Sequence, residues 1–79
     1  MFEMRDLKQA MNLQLNDVIR IGEEYVQVNL IEDPTRQVRS QGDLTLYYIP
    51  IDCIIPEEQD DDFIVVNRHL NVAIYRWTV

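Results

Sequence analysis

The stretch DFIVVNRHLNVAIYRWTV, residues 62–79, decides the fold of this chain. It contains an apolar run at 63–66, a polar break at 67–69 and an alternating run at 70–77. β-Branched and aromatic residues are frequent in both runs, and neither run contains glycine or proline, which favours strands. We therefore predict a β-hairpin with strands at about 62–67 and 70–77.

The segments upstream predict further strands that complete a sheet around this hairpin. They lie at about 17–22, 24–32 and 43–55. The third must bend, bulge or lie at an edge at Pro50, because proline has no backbone N–H to donate to a ladder, and we expect a bend. Alternation along the predicted strands, including the last strand of the hairpin, predicts two sets of side chains, and the members of each set lie on the same face of their strand. The first set is Val26, Val28 and Leu30; the second is Leu70, Val72 and Ile74.

A short segment at the start of the chain has a different period. Within residues 3–11, Met4, Leu7 and Met11 recur at i, i+3 and i+7, with good helix formers between them. This spacing predicts a short N-terminal amphipathic α-helix that covers one end of the sheet.

The stretch LNDVIRIGEEYVQV, residues 15–28, resembles the opening hairpin of many small SH3-like barrels. In those barrels a polar turn leads into a strand, a tight turn and a second strand. The resemblance implies a shape rather than a function. We therefore expect a mainly β protein: a single domain over residues 1–79, folded as a small SH3-like or OB-like barrel of about five strands.

Composition sets the broad class of the protein. Seventy-nine residues with 47% hydrophobic and 27% charged residues predict one folded domain with a small core. The single Cys53 excludes an intramolecular disulfide, and a small chain without disulfides often gains stability from a partner or an oligomer. No apolar stretch has the length of a transmembrane helix or the pattern of a signal peptide. We therefore expect a soluble, cytoplasmic protein without a membrane partner.

The net charge of −7 bears on the choice of partner. Fourteen acidic residues face seven basic ones, whereas a protein that binds phosphate backbones needs a basic surface. Direct nucleic-acid binding is therefore disfavoured. Five of the acids stand within residues 57–62, and carboxylates at this density predict an exposed loop.

The sequence lacks the patterns of an enzyme. His69 is the only histidine and lies in a predicted turn, so no nucleophile–histidine pair or zinc site is expected within one chain. Gly22 and Gly42 are the only glycines, so no glycine-rich phosphate loop exists. We predict a non-enzymatic protein with no catalytic residue, cofactor or metal.

The first functional hypothesis is a protein–protein interaction module or a small subunit of a larger assembly. Its partner is another protein or a second copy of the chain. Interfaces favour tyrosine, tryptophan and arginine. The candidate residues of this type are Tyr47, Arg68, Tyr75, Arg76 and Trp77. The competing structural interpretation is that Tyr75 and Trp77 pack under the N-terminal helix and close a second core.

The second hypothesis is an acidic, nucleic-acid-mimicking inhibitor, of the kind that phages and mobile elements encode, which occupies the basic groove of a nucleic-acid-binding protein. Its candidate residues are Glu57, Glu58, Asp60, Asp61 and Asp62, joined by Glu23 and Glu24 if the fold brings them near. A third hypothesis is an OB-like single-strand binder that stacks bases on Tyr47, Tyr48, Tyr75 and Trp77. Arg36 and Arg39, on the polar stretch 32–43, form either an anion grip or part of a solvated loop.

Overall fold

The computed structural model of the chain describes residues 1–33 and 42–78, and its main feature is one six-stranded antiparallel sheet. The sheet order is β1-β6-β2-β3-β4-β5. The strands are β1 (Phe2–Gln9), β2 (Val18–Ile21), β3 (Glu24–Glu32), β4 (Asp43–Pro50), β5 (Asp62–Asn67) and β6 (Asn71–Trp77). Short 3-10 turns at Ala10–Asn12 and Pro56–Glu58 are the helical pieces of the described residues. The mainly β prediction is therefore confirmed.

The core lies on one face of the sheet, which we call the core face. Leu44 and Leu46 on β4 and Ile74 on β6 belong to one buried cluster, although these strands are three positions apart in the sheet. The sheet must therefore curve around its own apolar side chains. The remaining members of the cluster are Ala10, Leu13, Ile19, Val26 and Val28. The opposite face is called the outer face.

The predicted barrel is wrong because the sheet does not close. β1 and β5 are its two edges, and the pairings of the described residues do not join them to each other. Alternation shows which side chains face a core, but it carries no information on whether the first and last strands meet.

The predicted N-terminal helix is also wrong, since this segment is strand β1. Its register against β6 shifts between Met4 and Asp6, so Arg5 is the extra residue of a β-bulge. Met4 opposes Tyr75 and Leu7 opposes Ala73, which places both apolar side chains on the outer face. In a regular strand, residues at i and i+3 lie on opposite faces, but the extra residue of the bulge places Met4 and Leu7 on the same face.

A second bulge changes the predicted faces of β3. The register against β4 shifts between Val28, which opposes Tyr48, and Leu30, which opposes Tyr47. Leu30 therefore lies exposed on the outer face, while Ile31 packs against the core. The prediction that Leu30 shares a face with Val28 is wrong for this reason.

The long third strand ends earlier than predicted. β4 stops at Pro50, where a turn follows and the Cys53 amide donates to the Pro50 carbonyl at 3.1 Å. Residues 51–55 are therefore a connection rather than a bent continuation of the strand. None of the helices in the described ranges is long and apolar enough to cross a membrane.

Candidate interaction surface

Aromatic side chains from β1, β6 and β3 contact one another on the outer face and form a cluster. Phe2 stacks on Tyr25 with ring centroids 4.4 Å apart, and Trp77 packs edge-on against Phe2 at 5.0 Å. Tyr75 meets Tyr25 edge-on at 5.1 Å. We call these four residues the aromatic cluster. Such stacked and edge-to-face contacts hold each ring in a defined orientation.

The cluster continues into an exposed apolar surface along β1. Trp77 is 64%, Met4 62% and Leu7 58% exposed to solvent. Phe2 lies directly opposite Trp77, and Met4 opposite Tyr75, so all of these side chains share the outer face. Contiguous exposed apolar groups with one well-ordered aromatic centre are typical of protein interaction sites.

The alternative in which Tyr75 and Trp77 both pack under an N-terminal helix is wrong, because residues 2–9 form strand β1. Tyr75 is half-buried between its neighbours, whereas Trp77 remains largely exposed. The covering element is not a helix, since β1 pairs alongside β6 in its place. The two residues are therefore brought together, but they have different roles in packing.

A groove of about 300 Å³ adjoins the aromatic cluster. Phe2 and Tyr25 form its aromatic side, and the turn after β4 contributes Pro50 and Ile51. Its remaining lining residues carry carboxylates: Glu23, Glu24 and Asp52. The fold thus brings acids from the β2–β3 turn and the β4–β5 connection to one end of the sheet.

The predicted acidic run forms an exposed connection between β4 and β5. Its side chains are all solvent-exposed: Glu57, Glu58, Asp60, Asp61 and Asp62. The Asn29 side-chain amide donates to Asp61 Oδ1 at 3.3 Å, which ties the run to the bulge of β3. The exposed loop predicted here is confirmed.

The tyrosine beside this run responds to the local negative charge. Asp62 lies opposite Tyr48 on the neighbouring strand. Burial raises the pKa of the Tyr48 hydroxyl, and the charges of Asp62 and Glu24 raise it further. Asp62 at the start of β5 and Glu24 at the start of β3 therefore both act on the same side chain.

Tyr47 lies apart from the aromatic cluster. It forms one row across the outer face with Leu30 on β3 and Phe63 on β5, each directly opposite its neighbour. Its ring is tilted against Phe63 at 5.9 Å. Burial, the charge of Glu32 and a hydrogen bond with that carboxylate together raise the pKa of Tyr47. Sequence reasoning missed Leu30 because the bulge in β3 reverses its face.

The two predicted arginines stand at opposite ends of β6. Arg68, in the turn before the strand, binds Asp33 Oδ1 through Nη2 at 2.6 Å. Arg76, near the other end, binds Glu3 Oε1 at 3.0 Å across the β1–β6 pair. Only Arg76 lies beside the aromatic cluster, so Arg68 does not belong to that surface.

The remaining aromatic residue of the third hypothesis does not share a surface with the others. Tyr48 packs against the core, while Tyr47 and Trp77 lie on the outer face in separate groups. Arg36 and Arg39 lie outside the described residues. Within residues 1–33 and 42–78, no group of three or more His, Cys, Asp or Glu side chains is placed to hold a metal ion.

The signal that could have located the aromatic cluster is the composition of β1. Phe2, Met4 and Leu7 are the apolar residues of that strand. Because the segment was interpreted as a helix, these residues were not expected to lie beside Trp77 on a paired strand. Comparison of the chain with protein families, with curated proteins and with solved structures found no match.

Proposed function

We propose that this protein is a non-enzymatic protein–protein interaction module, and that its partner docks on the aromatic cluster together with Met4 and Leu7. The observation that supports this proposal most directly is the exposure of Trp77, Met4 and Leu7 on one continuous side of the β1–β6 pair. A partner that covers them removes apolar surface from water at about 25 cal/mol per Å².

The order of the cluster favours binding energetically. Trp77 rests edge-on against Phe2, which is itself stacked on Tyr25, so little side-chain freedom is lost when a partner arrives. The Glu3–Arg76 ion pair at its border supplies polar groups of the kind that form an interface rim.

The experiment is affinity capture from the source organism with three tagged forms of the protein. Met4→Glu combined with Leu7→Glu places two charges on the proposed surface. Ile54→Glu is the matched control, because Ile54 is 92% exposed and lies on the β4–β5 connection. We expect one protein to be captured by the wild type and the control and to be lost with the double variant. Equal capture by all three forms contradicts the proposal, provided that circular dichroism shows each to be folded.

A second candidate function is an acidic inhibitor that occupies the basic groove of a nucleic-acid-binding protein. Its support is the gathering of Glu23, Glu24 and Asp52 around one groove, with Asp62 and Glu24 both acting on Tyr48. Electrostatic association of this kind is fast and weakens steeply with salt.

The test of this candidate is charge neutralisation without loss of shape. The variant carries amides in place of the acidic run: Glu57→Gln, Glu58→Gln, Asp60→Asn, Asp61→Asn and Asp62→Asn. We expect it to lose capture of a basic partner, while Met4→Glu with Leu7→Glu retains it. Capture that is insensitive to both salt and neutralisation counts against the inhibitor.

A further inference from the structure

The two edges of the sheet differ in how they are protected against pairing with another strand. β1 has a bulge at Arg5 and carries Glu3, Asp6 and Lys8, and both bulges and charges discourage edge pairing. β5 pairs with β4 in one unbroken register, and its run Phe63 to Val66 contains neither charge nor proline. Among the described residues β5 has no second neighbour, so it is the unprotected edge.

Both faces of β5 carry apolar side chains, and on the core face the apolar surface extends onto neighbouring strands. On the outer face Phe63 is 62% and Val65 is 55% exposed. On the core face Ile64 and Val66 are half-buried and help to line an apolar groove of about 240 Å³. The rest of that groove is lined mainly by aliphatic residues of β2, β4 and β6: Ile19, Ile21, Leu46 and Val72. A strand added to β5 therefore finds apolar surface on both sides.

We propose that β5 pairs antiparallel with β5 of a second copy of this chain, about a twofold axis that passes midway between the two copies of Val65. The residues of this edge do not belong to the aromatic cluster, so the dimer goes beyond the proposed function. The dimer can be disproved while the proposed function still stands. A twofold interface brings the same strand to both sides and is the commonest way in which identical chains associate.

The direction of side chains limits the possible registers. A twofold axis perpendicular to the sheet keeps the outer faces of the two copies together. Because side chains alternate, each residue must then oppose one whose number is odd or even like its own. The axis therefore passes midway between the two copies of a single residue, which oppose each other. The residues in the middle of β5 on which the axis can be centred are Ile64, Val65 and Val66.

Charge selects Val65 among those residues. Centring there places Ile64 opposite Val66 and Asp62 level with Arg68, in two symmetrical copies. Arg68 lies in the turn directly after β5, where its guanidinium already binds Asp33, so it adds a cation near Asp62 rather than a free partner. Centring on Ile64 instead places Asp62 opposite Val66, and centring on Val66 places Arg68 opposite Ile64. Both of these alternatives set a charge against an aliphatic side chain. Of the three registers, the Val65 register is therefore the one that sets no charge against an aliphatic side chain, while Phe63 in it opposes Asn67.

Antiparallel pairing also separates the acidic runs. In the Val65 register the two Asp62 residues are six strand positions apart, about 20 Å at the usual rise of a strand. This exceeds the Debye length of about 8 Å at physiological ionic strength, so repulsion between the runs is largely screened. A parallel arrangement would instead place the two runs side by side. The net charge of −7 thus favours the antiparallel dimer over the parallel one.

The first experiment measures the mass of the untagged full chain by sedimentation equilibrium over a range of concentrations at physiological salt. We expect the mass to rise from the 9.4 kDa of one chain toward twice that value. Val65→Lys places two like charges opposite each other and should weaken the dimer at least about tenfold. Leu30→Lys is the control, because it adds the same charge to the outer face on an interior strand, and Trp77→Glu should leave the dimer unchanged.

The second experiment tests the register by disulfide formation in a Cys53→Ser background. Val65→Cys brings two thiols directly opposite each other, and mild oxidation should link them. In Phe63→Cys the two thiols lie four positions apart, about 13 Å, which is too far for a disulfide. Adding Asn67→Cys to Phe63→Cys should restore the link, because these two positions oppose each other.

Three results would overturn the proposal. They are a wild-type protein that stays monomeric at every concentration, a dimer that survives Val65→Lys, and Phe63→Cys linking as fast as Val65→Cys. If the wild type is monomeric and Val65→Lys abolishes capture of another protein, the edge takes a strand of that protein and the proposed dimer is wrong.

Discussion

Phe2 and Tyr25 stack with ring centroids 4.4 Å apart and planes 28° from parallel. The contact joins the first strand of the chain to β3, although β6 and β2 lie between these strands in the sheet. Because Trp77 rests on Phe2 and Tyr75 on Tyr25, this one pair positions the whole aromatic cluster. The stability of the edge strand β1 and the shape of the proposed interaction surface therefore depend on the same contact.

Replacing Phe2 by leucine should expose this dependence. Phe2→Leu keeps an apolar side chain but removes two ring contacts, so we expect a loss of about 1 kcal/mol in the free energy of unfolding, measured with urea. Phe63→Leu is the control, since Phe63 makes a single tilted contact with Tyr47 at 5.9 Å. It should cost less. Equal losses in the two variants would mean that the stack with Tyr25 adds no stability.

Truncation in the core should affect stability far more than truncation at the surface. Ile74 is almost completely buried, and Ile74→Ala should cost about 2–5 kcal/mol because the cavity it leaves is only partly filled. Ile54→Ala removes the same atoms from an exposed side chain and should change stability by less than about 0.5 kcal/mol. Thermal unfolding followed by circular dichroism compares the two, and similar melting temperatures would contradict the assignment of the core face.

The raised pKa of Tyr48 predicts a loss of stability at high pH. Its proton is held more tightly in the folded chain than in the unfolded chain, whose ordinary value is 10.0. The folded state is therefore favoured below about pH 10, and this contribution is lost as the pH rises through the folded pKa. Tyr47 has a shift of the same sign.

The measurement is the urea midpoint at several pH values on both sides of pH 10. Tyr48→Phe removes the titrating group and should make the decline less steep. Asp62→Asn should lower the pKa of Tyr48, which is followed by the ultraviolet absorbance of tyrosinate. A pKa that is unchanged by Asp62→Asn would show that the charge of Asp62 does not contribute to the shift.

The turn between β2 and β3 should tolerate asparagine but not valine at Gly22. This glycine has φ = 61° and no atoms within 4 Å of the position a Cβ would occupy, so backbone conformation alone decides the outcome. Asparagine enters the left-handed region readily, and Asn16 already does so in this chain with φ = 74°. We expect Gly22→Val to cost about 1–2 kcal/mol more than Gly22→Asn in urea unfolding. Equal stability of the two variants would contradict this backbone argument.

Local pattern was sufficient for most strands and insufficient where a bulge intervened. β2, β5 and β6 lie close to their predicted bounds, because their periods are regular and turn residues separate them. Arg5 and Asn29 each add one residue to a strand, and each such addition moves the residues that follow to the opposite face. A sequence pattern read at a fixed period therefore misplaced Met4, Leu7 and Leu30.

The candidate surfaces show the same division. The acidic run was located from composition alone, because carboxylates at that density must stay in water. Two of the four residues of the aromatic cluster, Tyr75 and Trp77, were named from the sequence. Phe2 and Tyr25 were not, because they stand 23 positions apart in the chain and meet only when the strands pair.

By itself the sequence determined that the chain is mainly β, where most strands begin and end, and that the segment before β5 is exposed and acidic. These properties follow from the local preferences and solvation of neighbouring residues. Only the tertiary structure decided that the sheet of the described residues stays open, that β5 is one of its edges beside an apolar groove, and that Phe2 stacks on Tyr25. Those properties arise from contacts between distant segments, which depend on the strand order and on two single-residue bulges.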